Sequence, residues 1–218
     1  MVIFSDLSEV LVHGVYGIEE LIEKDYGADV SEKFLKRRME MNSQILDLFR
    51  GKITENEYWK EFIEGANLPE GFSEDTAKYY LSENVIRTID GTYEVYSSIS
   101  SHPRSLLNSK RVKGRPDIYI VSDHIKTKIP LLHYAHPDIF EHLIKGEYWS
   151  CDLGCVKGDL AFFPTLLSKT CIPVEQIVFV DDIKSNIESA EKYGIYSILF
   201  KNAKQLKSEL IDIGFRFS

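Results

Sequence analysis

The chain is predicted to be an α/β protein: a parallel sheet of about five strands, with a bundle of short helices inserted behind the first strand. Three observations carry this expectation. Short apolar runs at Val2-Ile3-Phe4, Ile118-Tyr-Ile-Val121 and Ile177-Val-Phe-Val180 each end abruptly in polar residues. A strand that is apolar on successive residues is buried on both faces, as in a parallel sheet covered by helices. From about residue 84 onward, strand-like and helix-like segments alternate, the pattern of right-handed βαβ units. Between about 14 and 84, by contrast, nothing reads as a strand.

The elements follow in order. The opening strand stops at Asp6, and a second apolar run, Val10-Leu11-Val12, comes right behind a short polar step. Gly14 and Gly17 bracket a flexible exit. Ile18 to Ile22 is a short amphipathic piece ended by Gly27. Ser31 is placed as N-cap of a long helix whose apolar positions Leu35, Met39, Leu46 and Phe49 recur near helical spacing, with Gly51 as its stop. Thr54 and Glu57 have the spacing of a capping box, and Tyr58, Phe62 and Ile63 continue that helix until Asn67-Leu-Pro69. Ser73 opens another helix, bearing Tyr79, Tyr80 and Leu81.

A helix is expected from Tyr93 to Ser109, ended or kinked by Pro103, and then a basic surface loop from Lys110 to Arg115. The strand ending in Ser122-Asp123-His124 comes next, then a helix carrying Pro130. A short strand is placed around Tyr148-Trp149. Lys157-Gly158-Asp159 opens a helix to about Lys169. The run ending in Asp181-Asp182 is the clearest strand. The helix Ser185–Tyr193 is stopped by Gly194, a fifth strand spans 195–200, and a last helix runs from Ala203 to Ile213.

Composition bounds the partners. The chain has 218 residues, 44% apolar and 28% charged, the profile of a globular protein of one domain with an insertion. A net charge of −8 argues against nucleic acid or an anionic membrane as partner. No run approaches the roughly 18 apolar residues of a membrane span. The start, reaching the charged Asp6 almost at once, does not resemble a secretory leader. Three cysteines, an odd count, make no disulfide framework, so a reducing cytoplasm is the expected compartment.

Ligands of parallel sheets bind outside the carboxyl ends of the strands. Asp6, Ser122 and Asp181-Asp182 all end strands, and Lys157 opens a helix, so all converge on one rim. Asp6 and Asp182 side by side repel, and the cluster calls for a cation or a raised pKa. Hard oxygen donors suit Mg²⁺. Lys157 and Ser122 supply a positive charge and a hydroxyl for a phosphoryl group. Carboxylate, hydroxyl, lysine and acidic pair, in that order, read as a phosphoryl-transfer site with a carboxylate nucleophile.

This ordered set resembles the haloacid dehalogenase (HAD) superfamily over nearly the whole chain. Asp6-Leu7-Ser8-Glu9-Val10 resembles that family's first motif, Asp-x-Asp-Gly-Thr/Val. Ser122-Asp123 resembles the second, Lys157-Gly158-Asp159 the third, and Asp181-Asp182, with Asn186 and Ala190 beyond, the fourth. The resemblance implies a Rossmann-like core (1–13 and 85–218) and a helical cap (14–84) closing over the site. It implies Asp6 as nucleophile, and Asp6, the Ser8 carbonyl and Asp182, assisted by Asp181, as ligands of Mg²⁺. Ser122, Asp123 and Lys157 would bind the phosphoryl group of a small phosphorylated metabolite, with Lys157 also steadying Asp6.

One departure outweighs the rest. The family's phosphatases carry a second Asp, the general acid/base, where this chain has Ser8, and a hydroxyl has no usable pKa near neutrality. The main-chain contact to the metal survives any side chain. Glu9, one residue along, points the opposite way on a strand-like step. Asp123 for Asn, and Gly158 for Pro, are milder changes. Two alternatives therefore stand: a weak or inactive HAD-like protein that binds a ligand or partner, and a metal-independent dehalogenase, whose leaving halide needs no proton. The remaining polar groups have plainer readings. His133, His136 and His142 lack metal-ligand spacing and read as solvated or capping residues. Cys151, Cys155 and Cys171 read as ordinary core or surface residues, and Tyr79 and Tyr80 as packing.

Overall fold

A computed structural model of the chain describes residues 1–14, 17–101 and 115–218. β1 (Val2–Ser5) is followed by α1 (Ile18–Tyr26), α2 (Ala28–Glu40), α3 (Asn42–Phe49), α4 (Glu55–Gly65), α5 (Glu74–Val85), α6 (Thr92–Ser97) and β2 (Ile99–Ser101). Then come β3 (Ile118–Ser122), α7 (Ile129–Ala135), β4 (Gly146–Trp149), α8 (Ser150–Leu153) and α9 (Phe162–Thr170). The chain closes with β5 (Ile177–Asp181), α10 (Lys184–Glu191), β6 (Tyr196–Leu199), α11 (Ala203–Asp212) and β7 (Arg216–Phe217).

Five strands form one parallel sheet in the order β4-β3-β1-β5-β6. β1 lies at its centre, with Ile3 opposite Ile118 on one side and Val178 on the other. The continuous apolar runs have the two-sided burial that their composition requires. Ile3, Ile118, Ile120, Val178 and Val180 point into a large core shared with the helical segment. Phe4, Val121, Ile177 and Phe179 pack on the opposite face with Phe162 and Phe163. Alternation along each strand thus feeds two apolar layers instead of one core and solvent.

The segment between β1 and α6 is helical, as expected. Its interior is aromatic: Phe34 of α2 lies 4.6 Å from Phe62 of α4, ring centre to ring centre, and Trp59 stands edge-on to Phe62 at 5.3 Å. The capping box at α4 is present, with Glu57 N–H donating to Thr54 Oγ1 (3.2 Å) and Thr54 N–H to Glu57 Oε2 (2.7 Å). Ser73 caps α5 in the same way, with Thr76 in the reciprocal position.

Several sequence expectations are corrected. The long helix from Ser31 to Phe49 is two helices, α2 and α3, which meet at Met41 (φ −95°, ψ 24°). Met41 is buried there, and the Asn42-Ser43 pair that follows favours turns over helix interiors. Ser31 is not a cap: α2 begins earlier, after Gly27, and the buried Ser31 hydroxyl donates to the Glu19 carbonyl (2.9 Å). The helix placed at 93–109 ends at Ser97, and β2 then pairs antiparallel with β7, a strand too short to show periodicity. Pro103 and residues 110–114 of the basic loop lie outside the described residues. The helix assigned to start at Lys157 starts at Phe162.

Candidate active site

The site begins where β1 stops. Asp6 N–H donates to the Val180 carbonyl (2.8 Å), which ties the end of β1 to β5. The chain then turns tightly: the amides of Leu11 and Val12 both reach back to the Leu7 carbonyl (2.9 and 3.1 Å). Glu9 sits in this turn in the left-handed region (φ 57°). The step after Asp6 is therefore not strand-like, and the expectation that Glu9 faces away from Asp6 fails. Glu9, Ser8 and Asp6 line one cavity. The Glu9 carboxylate is nevertheless engaged, accepting from the Gly14 N–H (2.8 Å) and lying 3.3 Å from His13 Nδ1.

Asp6 is 3% exposed, and Lys157, 1% exposed, is its principal partner. Lys157 Nζ lies 2.5 Å from Asp6 Oδ2 and 2.6 Å from Asp181 Oδ2. Asp6 Oδ1 accepts from the Leu7 N–H (2.7 Å). Asp181 Oδ1 accepts from the Ile183 N–H (2.8 Å) and from Asn186 Nδ2 (3.0 Å) on the first turns of α10. Asp123 takes the Lys157 backbone N–H on its two oxygens (3.1 and 3.2 Å). The four motifs, spread along the chain from Asp6 to Asp182, are thus joined by direct hydrogen bonds.

Electrostatics follow from burial. Burial works against the charge of Lys157, but Asp181, Asp6 and Asp123 outweigh it and hold its pKa above the ordinary lysine value. Burial pushes Asp123 up to about 7; Lys157 opposes the rise, while Asp6 and Asp181 add to it. Asp181 rises to about 6 through burial, despite Lys157. Asp182, at the cavity wall, also rises to about 6, through burial and then repulsion by Asp181.

A metal is accommodated by the residues present. Asp6, Asp181 and Asp182 each offer a carboxylate oxygen, and these atoms lie within 4.8 Å of one another. An all-oxygen donor set suits a hard divalent cation, and a cation relieves the crowding that raises Asp181 and Asp182. Ser8 lines the same cavity. Ser122 differs from its expected placement. The cavity, of about 320 Å³, is walled by its neighbour Asp123, whereas the Ser122 hydroxyl is buried without a hydrogen-bond partner among the described residues.

One residue that sequence reasoning passed over, Arg50, completes the wall. Arg50, just after α3, donates to both oxygens of Asp159: Nε to Oδ2 at 2.9 Å and Nη2 to Oδ1 at 2.7 Å. This bidentate pair joins the helical segment to the loop bearing Lys157. A second link runs alongside, where Ser150 Oγ donates to the Phe49 carbonyl (2.7 Å) and accepts from the His124 N–H (3.1 Å). Nothing in the sequence marks Arg50, one of many basic residues beside a glycine. Among the histidines, His133 pairs with Glu147 (2.9 Å) and His136 Nε2 meets the Val85 carbonyl (3.2 Å).

The fold is shared with solved structures. The magnesium-bound putative HAD-hydrolase YfnB from Bacillus subtilis superposes with a TM-score of 0.65 at 16% identity, covering 96% of this chain and 98% of that one. The fold is that of the HAD superfamily. The HAD family enzyme bt-2542 from Bacteroides thetaiotaomicron, solved with magnesium and inorganic phosphate, gives 0.59 at 15% identity over 92% and 93% of the two chains. L-2-haloacid dehalogenase from Xanthobacter autotrophicus, with chloropropionic acid covalently bound, gives 0.59 at 13% identity over 97% and 83%. No family model matches the sequence. Among curated proteins, drimenol cyclase drtB from Aspergillus calidoustus is 36% identical over 87 residues, 36% of this chain. The match spans only 16% of that protein's length. Among the described residues, no helix is long and apolar enough to cross a membrane.

Proposed function

We propose that this HAD-like chain is a hydrolase that transfers a phosphoryl group from a small phosphorylated metabolite to Asp6 and then to water. The observation that carries this reading is the single ammonium of Lys157, wedged between Asp6 and Asp181 beside Asp182. That arrangement holds one Asp6 oxygen and leaves a nucleophilic carboxylate at the floor of the cavity. Asp6, the Ser8 carbonyl and Asp182, with Asp181 assisting, would hold Mg²⁺, which when bound supplies positive charge for the phosphoryl oxygens. Lys157 and the unpartnered Ser122 hydroxyl supply donors to the same oxygens, and Asp123 orders the Lys157 main chain beside them. The segment 14–84 acts as a cap over the core formed by 1–13 and 85–218, and excludes water when it closes.

The test is phosphate release from a panel of phosphorylated metabolites, with and without Mg²⁺, against Asp6→Asn. Mg²⁺-dependent turnover that disappears in Asp6→Asn supports the reading; equal release by both proteins refutes it. A second reading is favoured by Ser8, which offers no proton for a leaving alkoxide: a dehalogenase-type reaction, or a binding role without turnover. Halide release without Mg²⁺ from 2-halo acids identifies the first, and ligand binding without any release the second.

A further inference from the structure

With Ser8 in place of an acid, some other group must protonate the leaving oxygen and later deprotonate water. The cavity is lined by five carboxylates, and four are committed. Asp6 is the nucleophile, held by Lys157 and the Leu7 N–H. Asp159 is locked to Arg50 through both oxygens and also accepts from the Val156 N–H (3.1 Å). Glu9 spends its two oxygens on the Gly14 N–H and His13, bracing its own turn. Asp182 belongs to the acidic triad that fits a cation.

The fifth is Asp123. We propose that Asp123 is the general acid and base of this site, taking over the role that Ser8 cannot perform. The assignment rests on the phosphoryl-transfer reading above. Its basis is geometric: Asp123 follows directly on the end of β3, lines the cavity with Asp6, and is fixed by a single main-chain donor, the Lys157 N–H. One N–H shared between two oxygens leaves lone pairs of both free for a proton or a substrate oxygen. The groups acting on it are Lys157, Asp6 of β1 and Asp181 of β5, and burial together with the two acids keeps its proton on near neutrality. An acid that titrates near the working pH is the efficient one for proton transfer in both directions.

The steps balance as follows. An Asp6 oxygen bonds to phosphorus while the bond from phosphorus to the leaving oxygen breaks. The Asp123 proton passes to that oxygen, giving a neutral alcohol and an Asp123 carboxylate. Water then attacks phosphorus, Asp123 takes a proton from it, and the bond from phosphorus to Asp6 breaks. Inorganic phosphate departs, with Asp6 ionised and Asp123 protonated again.

Asp123→Asn tests this, since the amide keeps the shape and an acceptor for the Lys157 N–H. Wild type and variant are compared with Mg²⁺ on an alkyl phosphate and on an aryl phosphate whose leaving group needs no proton. The variant is expected to lose about 10²–10⁴-fold in kcat/KM on the alkyl phosphate, while the aryl phosphate gives a burst of one phenol per site before slow turnover. The pH limb near 7 should vanish from its kcat/KM profile. An active wild type whose variant retains that limb, or loses equally on both substrates without a burst, overturns the role of Asp123 alone. A wild type that releases no phosphate beyond Asp6→Asn overturns the phosphoryl-transfer reading, and this role with it.

Discussion

Replacing Lys157 by Met removes the one ammonium that neutralises Asp6 and Asp181, while keeping most of the volume of a side chain that is 1% exposed. Two buried carboxylates at 2.5 and 2.6 Å lose their partner at once. Breaking a buried pair by deleting one member costs about 3–5 kcal/mol, since the remaining charge is left without compensation. That is a large share of the roughly 5–15 kcal/mol by which a domain is stable. The loss has a pH signature. Asp181, raised to about 6 by burial, is driven to ionise above pH 7 and takes a proton at pH 5, which removes its share of the uncompensated charge. Urea denaturation of wild type and Lys157→Met at pH 8 and pH 5, without divalent cations, should therefore show a gap of about 3–5 kcal/mol at pH 8 that narrows at pH 5. The double variant Lys157→Met with Asp181→Asn should be more stable at pH 8 than Lys157→Met alone, because the two residues are in contact and their effects do not add. A gap below about 1 kcal/mol at pH 8, the size of an exposed ion pair, or a gap equal at both pH values, would refute the electrostatic reasoning.

Two further expectations follow from the same geometry. Asp123, Asp181 and Asp182 have folded-state pKa values raised to about 7, 6 and 6, so each contributes stability below its unfolded pKa that is lost as pH rises through the folded value. Thermal unfolding in EDTA should thus show Tm falling between about pH 5 and 8 from these groups, and added Mg²⁺ should raise Tm more at pH 8 than at pH 5; a pH-independent Mg²⁺ effect would contradict the metal assignment. At Gly51 (φ +70°), a Cβ would stand 2.9 Å from the Cys151 carbonyl oxygen. Gly51→Ala should cost about 1–2 kcal/mol in backbone strain and loosen the adjoining Arg50–Asp159 and Phe49–Ser150 contacts, detectable as faster amide exchange in α3; wild-type exchange there would argue against that seam.

The sheet was legible because its signal is local. Ile177 to Val180 is apolar at every position, and a strand of that composition must be covered on both sides, which fixes a parallel interior strand and puts Asp181 at its rim. The capping box at Thr54 was equally legible, since spacing alone determines it, and Ser73 was legible as the start of its helix though its reciprocal partner Thr76 was not. What escaped was set by tertiary contact. Met41 breaks a helix that its periodicity would continue. Ile99 becomes strand only because Phe217 is opposite. Glu9 faces the cavity because three amides fold back on the carbonyl of Leu7, and no pattern in 7–12 announces that turn. Arg50 matters only through Asp159, more than a hundred positions away. Ser122 ends β3, as its sequence implies, and its hydroxyl is buried with no hydrogen-bond partner among the described residues.

The charge count of the site ties these points together. Among the described residues, Asp6, Asp123, Asp181 and Asp182 face one ammonium, since the guanidinium of Arg50 is already matched by Asp159. Fully ionised, the cluster would carry three excess negative charges, and a phosphate monoester would bring about two more. At 4 Å each like-charge pair costs about 4 kcal/mol at an effective dielectric of 20, more than hydrogen bonds from Ser122 and Lys157 can offset. The protein answers part of this in its own residues, by raising Asp123 to about 7 and Asp181 and Asp182 to about 6. A divalent cation, if held among Asp6, Asp181 and Asp182 as proposed, would answer the rest. A proton retained on Asp123 is then doubly useful: it lowers the charge that the substrate meets on entry, and it lies beside the nucleophile where a leaving oxygen needs one. A carbon–halogen substrate with a single carboxylate makes neither demand, so on the phosphoryl-transfer reading proposed above the crowding of acids has a use that halide release would not give it.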